Sequence, residues 1–230
     1  MKGRIIVALD TDAPEAALET ATALTGEVGM FKVGMELFPR GGPELVRRIR
    51  AAGFDVFLDL KFHDIPNTVA GAVRSAAALG VRFATVHASG GRAMLTAAEE
   101  SARGTGTTLL AVTVLTSLDD ADLAEVGFSL GTAEAAAGLA GLAVSCGLNG
   151  IVCSAMEVAS VRERVGKGVT LVTPGVRMPE DAVGDQKRVV TPADAIRRGA
   201  DYIVVGRPIT KAIDPAAAAR AIAASMRTQQ

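Results

Sequence analysis

The sequence predicts an α/β fold, a single-domain (β/α)8 TIM barrel over residues 1–230. Three observations carry this. Eight short apolar runs alternate with eight helical stretches, most of them rich in alanine. The runs are apolar on both faces, as parallel strands covered by helices are. Eight strand–helix units in 230 residues suit a compact closed barrel with right-handed crossovers. An open doubly wound sheet is the alternative. It carries a glycine-rich dinucleotide turn after its first strand, where this chain has Leu9-Asp10-Thr11-Asp12.

The expected strands are 5–10, 30–35, 55–61, 83–88, 108–115, 150–155, 170–176 and 202–206. The expected helices are 13–27, 43–52, 66–79, 92–103, 132–146, 156–165, 192–198 and 209–226. Pro14, Pro43, Pro66 and Pro192 suit first helical turns, where the missing N–H costs nothing. Gly53, Gly80, Gly147 and Gly199 suit helix stops. The alanine content reflects helix propensity rather than an internal repeat.

Composition narrows the function classes. The chain is 49% hydrophobic, enough for a sizeable core. It has 24 basic and 25 acidic residues and a net charge of -1, so nothing in the bulk charge favours nucleic acid or an anionic membrane. With seven Phe, one Tyr and no Trp, base-stacking platforms are disfavoured. Cys146 and Cys153 form no disulfide framework or zinc pattern and read as buried, inert thiols. The N-terminus runs straight into a strand and lacks signal-peptide features. No apolar run reaches the roughly 18 residues of a membrane span. The expected setting is the cytoplasm, with no membrane partner.

Barrel sites sit at the C-terminal ends of strands. Those ends carry Asp10, Lys32, Asp59, Lys61, Asp64, His87, Thr116, Arg177, Gly206 and Arg207. Alternation puts Asp59 and Lys61 on one face of their strand. A structural ion pair is the plainer reading of that pair alone. Its recurrence beside Lys32 and Asp10 favours a functional charge cluster, since isolated buried charges cost free energy and opposite signs offset the cost. Gly206-Arg207-Pro208 joins a strand to a helix start and suits a phosphate, through close backbone approach, free N–H groups and a guanidinium fork. A capping turn is the alternative. Residues 177–188 form a long polar connection, either a lid placing Arg177 and Gln186 on a phosphate or a solvated loop. His87 reads as a hydrogen-bonded barrel residue rather than a base.

Together these residues resemble orotidine 5′-phosphate decarboxylases of the bacterial type, over essentially the whole chain. The most specific stretch is DLKFHDIPNTV at 59–69. ALD at 8–10, FKVG at 31–34, VHASGG at 86–91, VLTS at 114–117, TPGVR at 173–177, DQKR at 185–188 and VGRPIT at 205–210 support it. A bare D-x-K-x-x-D is shared with related barrels that decarboxylate or condense sugar phosphates, some of them metal-dependent. A non-catalytic barrel that binds a phosphometabolite is a further alternative.

The resemblance implies a cofactor-free and metal-free homodimer that converts orotidine 5′-phosphate to UMP. It implies a charge network of Lys32, Asp59, Lys61 and Asp64, with Asp64 serving the partner's site and Lys61 protonating the C6 carbanion. It places substrate contacts along Asp59, Leu60, Lys61, Phe62, His63, Asp64, Ile65, Pro66, Asn67 and Thr68. Asp10, Lys32 and the segment around Thr68 match ribose-holding positions, and Thr116 a pyrimidine-side position. Arg177, Gln186, Gly206 and Arg207 match positions around the lid and phosphate.

Overall fold

A computed structural model describes residues 1–178 and 190–227. Eight parallel strands close into a barrel in sequence order: β1 (Ile5–Ala8), β2 (Met30–Gly34), β3 (Val56–Phe62), β4 (Phe83–His87), β5 (Thr108–Val112), β6 (Gly150–Val152), β7 (Thr170–Thr173) and β8 (Tyr202–Val205). β8 pairs with β1, for example Ile6 with Val204, which closes the ring. The surrounding helices are α1 (Pro14–Ala23), α2 (Phe38–Ala51), α3 (Pro66–Ala77), α4 (Gly91–Ala102), α5 (Asp120–Glu125), α6 (Thr132–Ser145), α7 (Val158–Val165), α8 (Pro192–Arg197), α9 (Arg207–Thr210) and α10 (Pro215–Ser225). The expected (β/α)8 barrel is the observed one.

Strand alternation makes two cores. Ile6, Met30, Phe57, Phe83, Leu110, Val172 and Val204 fill the barrel interior. Their neighbours, including Val7, Phe31, Leu58, Ala84, Leu109, Leu171 and Ile203, pack outward against the helices. Each fully buried large apolar side chain contributes about 1.5–3 kcal/mol. This double burial is why the strands read as continuous apolar runs.

Several expected boundaries shift. Strands expected to reach 10, 115, 155, 176 and 206 leave the ladder at Ala8, Val112, Val152, Thr173 and Val205. The chain diverges from its neighbours there, and Asp10, Val114, Leu115 and Gly206 line the barrel mouth. α2 starts at Phe38 rather than at 43, with a break at Gly42 (φ 55°), after which Pro43 opens the second part. The expected helix at 209–226 is two helices, because Asp214 caps a new start by accepting from the Ala217 N–H, with Pro215 following. α5 was not expected. Asp119 and Asp122 build a reciprocal capping box at its start. The four glycine stops all have positive φ.

The barrel's lower rim is also charged, but differently. Asp55 bridges Arg50 (2.6 Å) and Arg82 (3.1 Å), and Arg82 also donates to the Tyr202 hydroxyl (3.3 Å). Asp55 thus ties two arginines together across neighbouring elements, the pattern of a structural clasp.

Candidate functional site

The site is built on the bulged end of β3. Leu58 pairs with Ala84 and Phe62 with Val86, so β3 spends four residues against two of β4. Lys61 takes φ 50°, the one non-glycine positive φ among the described residues. Such a conformation costs on the order of 1–3 kcal/mol and persists only where surroundings enforce it. The bulge, and not simple alternation, turns Lys61 back over Asp59. The Lys61 amine lies 2.9 and 3.0 Å from the two Asp59 carboxylate oxygens.

β2 supplies the second cation. The Lys32 amine is 3.0 Å from Asp10 Oδ1 and 3.8 Å from Asp59 Oδ2. Charges therefore alternate as Asp10, Lys32, Asp59, Lys61. The side chains of Lys32 and Asp59 are only 12% and 13% exposed, so each charge depends on its neighbours. Lys32 reaches Asp10 through space left by Gly34. A Cβ on Gly34 would stand 2.7 Å from the Lys32 amine.

These four residues line a cavity of about 810 Å³ at the C-terminal mouth. Its floor and one wall are apolar, with Phe57, Val112, Val114, Val152, Cys153 and Val204. Thr116, Arg177, Gly206 and Arg207 also line it. Arg177 is 9% exposed and its guanidinium donates to the Val176 carbonyl (3.1 Å). One cavity thus presents a charge-alternating wall, an apolar floor and two arginines, a lining that can hold a ligand with an apolar part and an anionic group.

Not every expected residue joins it. Leu60 and Phe62 pack against the outer core. His63, Asp64, Ile65, Pro66, Asn67 and Thr68 are exposed and outside the cavity. Asp64 accepts from the Ile65 N–H (2.6 Å) and has no contact with the Lys61 amine. Gln186 and nearly all of the expected lid, 177–188, lie outside the described residues. The helix expected after Gly206 is the single turn α9.

The His87 and Cys146 expectations need correction. His87 stacks on His63, with ring centroids 5.3 Å apart, in place of the expected hydrogen bond. Burial pushes its pKa down from the ordinary histidine value, helped by the nearby charges of His63 and Lys61 and opposed by Asp59. Cys153 is buried but sits in the cavity wall. Cys146 is only partly buried and rests against Arg92 (3.7 Å). Among the described residues no three His, Cys, Asp or Glu side chains gather so as to hold a metal ion. No helix among them is long and apolar enough to cross a membrane.

Thr85 escaped the sequence reading. It is fully buried on β4, accepts from the Lys61 N–H (2.8 Å) and donates to Asp59 Oδ1 (3.0 Å). The signal was a hydroxyl in phase with Phe83 and His87 on an otherwise apolar strand. Glu36 and Lys211 at the cavity rim were likewise unmarked.

Comparison with known proteins places the whole chain. The family described as "Orotidine 5'-phosphate decarboxylase / HUMPS family" matches residues 3–222. A relative from Halorhodospira halophila, named orotidine 5′-phosphate decarboxylase, is 56% identical over 225 residues, covering 97% of this chain and 95% of its own. One of the same name from Anaeromyxobacter sp. (strain K) is 57% identical over 223 residues, covering 97% and 98%. The crystal structure of orotidine 5′-phosphate decarboxylase from Lactobacillus acidophilus is similar with a TM-score of 0.85 at 40% identity, covering 97% of this chain and 99% of that one. The chain belongs to the orotidine 5′-phosphate decarboxylase / HUMPS family.

Proposed function

We propose that this protein decarboxylates orotidine 5′-phosphate to UMP, the last step of de novo pyrimidine nucleotide synthesis, without metal or organic cofactor. The observation that carries the reading is the Lys61 amine, held 2.9 Å from Asp59 over an apolar-floored cavity. The relatives named orotidine 5′-phosphate decarboxylase, at 56% and 57% identity, support the choice of substrate.

Loss of CO2 from pyrimidine C6 leaves a carbanion with little resonance relief. A fixed cation beside that carbon stabilises the charge as it forms. Lys61 fills this role and then donates its proton to C6 as general acid. Both tasks need the ammonium form in a partly buried place. The Asp59 carboxylate lies against that amine, with Lys32 and Asp10 completing the alternation. At an effective dielectric near 20, opposite charges 4 Å apart attract by about 4 kcal/mol, enough to oppose a sizeable desolvation cost. Asp10 and Lys32 hold the ribose and Thr116 the pyrimidine. Arg177, Gln186, Gly206 and Arg207 bind the phosphate, whose binding energy fixes geometry at the distant reacting carbon.

The reading includes a homodimer with shared sites. Asp64 completes the partner's charge network, with Ile65, Pro66, Asn67 and Thr68 beside it. Supporting this, residues 63–68 are exposed next to the cavity-lining Lys61, and Ile65 is 67% exposed. The expected setting is the cytoplasm.

Turnover tests the reading. Purified protein with EDTA is mixed with orotidine 5′-phosphate, and loss of the orotate chromophore is followed. Unchanged turnover in EDTA is expected. Folded protein without turnover above background would overturn the function. Turnover abolished by EDTA and restored by a divalent cation would point to a metal-dependent relative.

A further inference from the structure

We infer that Thr85 is a positioning residue of the active site, holding both Asp59 and the Lys61 backbone through one hydroxyl. The inference rests on the decarboxylase reading above. A threonine hydroxyl has one proton and two lone pairs. Here the lone pairs accept from the Lys61 N–H at 2.8 Å, and the proton goes to Asp59 Oδ1 at 3.0 Å. The side chain lies in the barrel interior, is 0% exposed and does not line the cavity.

Both partners need what the hydroxyl supplies. The β3–β4 ladder slips between Leu58 and Phe62, so the strand pairing breaks off across the residues that carry the site. Thr85 takes up the Lys61 N–H in that gap, where the backbone sits at φ 50°. Asp59 meets the Lys61 amine with both oxygens and Lys32 with Oδ2, so the setting of its carboxylate plane decides how both amines are held. The bond from Thr85 to Oδ1 fixes that plane. A single group thus ties the strained backbone that aims Lys61 to the carboxylate that orients its amine. Valine would fill the same space, so packing alone gives no reason for a hydroxyl here.

The test compares Thr85→Val and Thr85→Ser with wild type. Readouts are kcat and KM for orotidine 5′-phosphate, the Kd of UMP, and the thermal midpoint. Loss of a hydrogen bond to a charged group predicts kcat lower by about tenfold to a hundredfold in Thr85→Val. KM and the UMP Kd should change by less than about threefold, because Thr85 does not face the cavity. Thr85→Ser should restore kcat to within about threefold of wild type, because the hydroxyl returns. If Thr85→Val does not fold, Thr85→Cys takes its place, since a thiol is a weak donor and acceptor. Wild-type kcat in a folded hydroxyl-free variant overturns the inference, as does failure of serine to rescue. An inactive wild type would instead refute the decarboxylase reading, and this inference with it.

Discussion

Gly34→Ala tests how tightly the charge network is placed. The new methyl group would stand 2.7 Å from the Lys32 amine, against a normal contact of about 3.5 Å. The amine must retreat by about 0.8 Å. Asp10 Oδ1 is 3.6 Å from the methyl position and 3.0 Å from the amine. Moving the amine straight back stretches the Asp10 contact to about 3.3 Å, within range of a weakened bond. The lysine end is flexible, so the fold should not suffer. Gly34 has no positive φ, and alanine at a compatible site gains about 0.4–1 kcal/mol from the unfolded state. The thermal midpoint should therefore stay within about 3 °C of wild type. Catalysis is less forgiving. A charge-assisted hydrogen bond is worth about 1.5–3 kcal/mol, and a misplacement near 1 Å can cost about a hundredfold. The expected result is kcat lower by about tenfold to a hundredfold at nearly unchanged stability. Steady-state kinetics and a thermal melt on one preparation measure both. A folded Gly34→Ala protein with wild-type kcat would refute the claim that Lys32 needs this space.

Two further predictions follow from the site. If Asp64 serves the partner's cavity, Asp64→Ala and Lys61→Ala proteins are each nearly inactive, yet mixing them restores part of the activity in hybrid dimers with one intact site. Confirmed heterodimers without recovery would contradict that placement. The second concerns pH. His87 has a folded-state pKa below its unfolded value near 6.5, so the unfolded chain binds more protons as pH falls below that value. Stability is intact above pH 6.5 and declines as pH drops through the folded pKa. His87→Gln should remove that part of the decline. Urea midpoints at pH 7.5 and pH 5.5, roughly one unit either side of the ordinary histidine value, measure it, and equal acid sensitivity in both proteins would count against the assignment.

The barrel was legible because strands buried on both faces leave an unbroken apolar signature, and glycines mark the helix ends. α5 and the start of α10 were missed for a common reason. Both announce themselves through aspartate caps, at Asp119 and Asp214, inside stretches whose apolar periodicity is weak or continuous. The charges of the site were legible because Asp59 and Lys61 interrupt an apolar strand. How they meet was not. Alternation predicts a shared face, whereas the contact depends on a bulge and on Lys61 at φ 50°. No residue type announces that conformation. Thr85 stayed hidden since threonine is common in strands, and its meaning lies in partners 24 and 26 residues away. Asp55 shows the converse, because it also flanks β3 but belongs to the structural clasp below.

The central claim is that Lys61 carries the chemistry without a metal. The most direct measurement follows UMP formation from orotidine 5′-phosphate in EDTA by wild type and by Lys61→Ala, with UMP binding recorded for both. The account predicts turnover by wild type and almost none by a Lys61→Ala protein that still folds and binds UMP. A folded Lys61→Ala protein with near-wild-type turnover would contradict it.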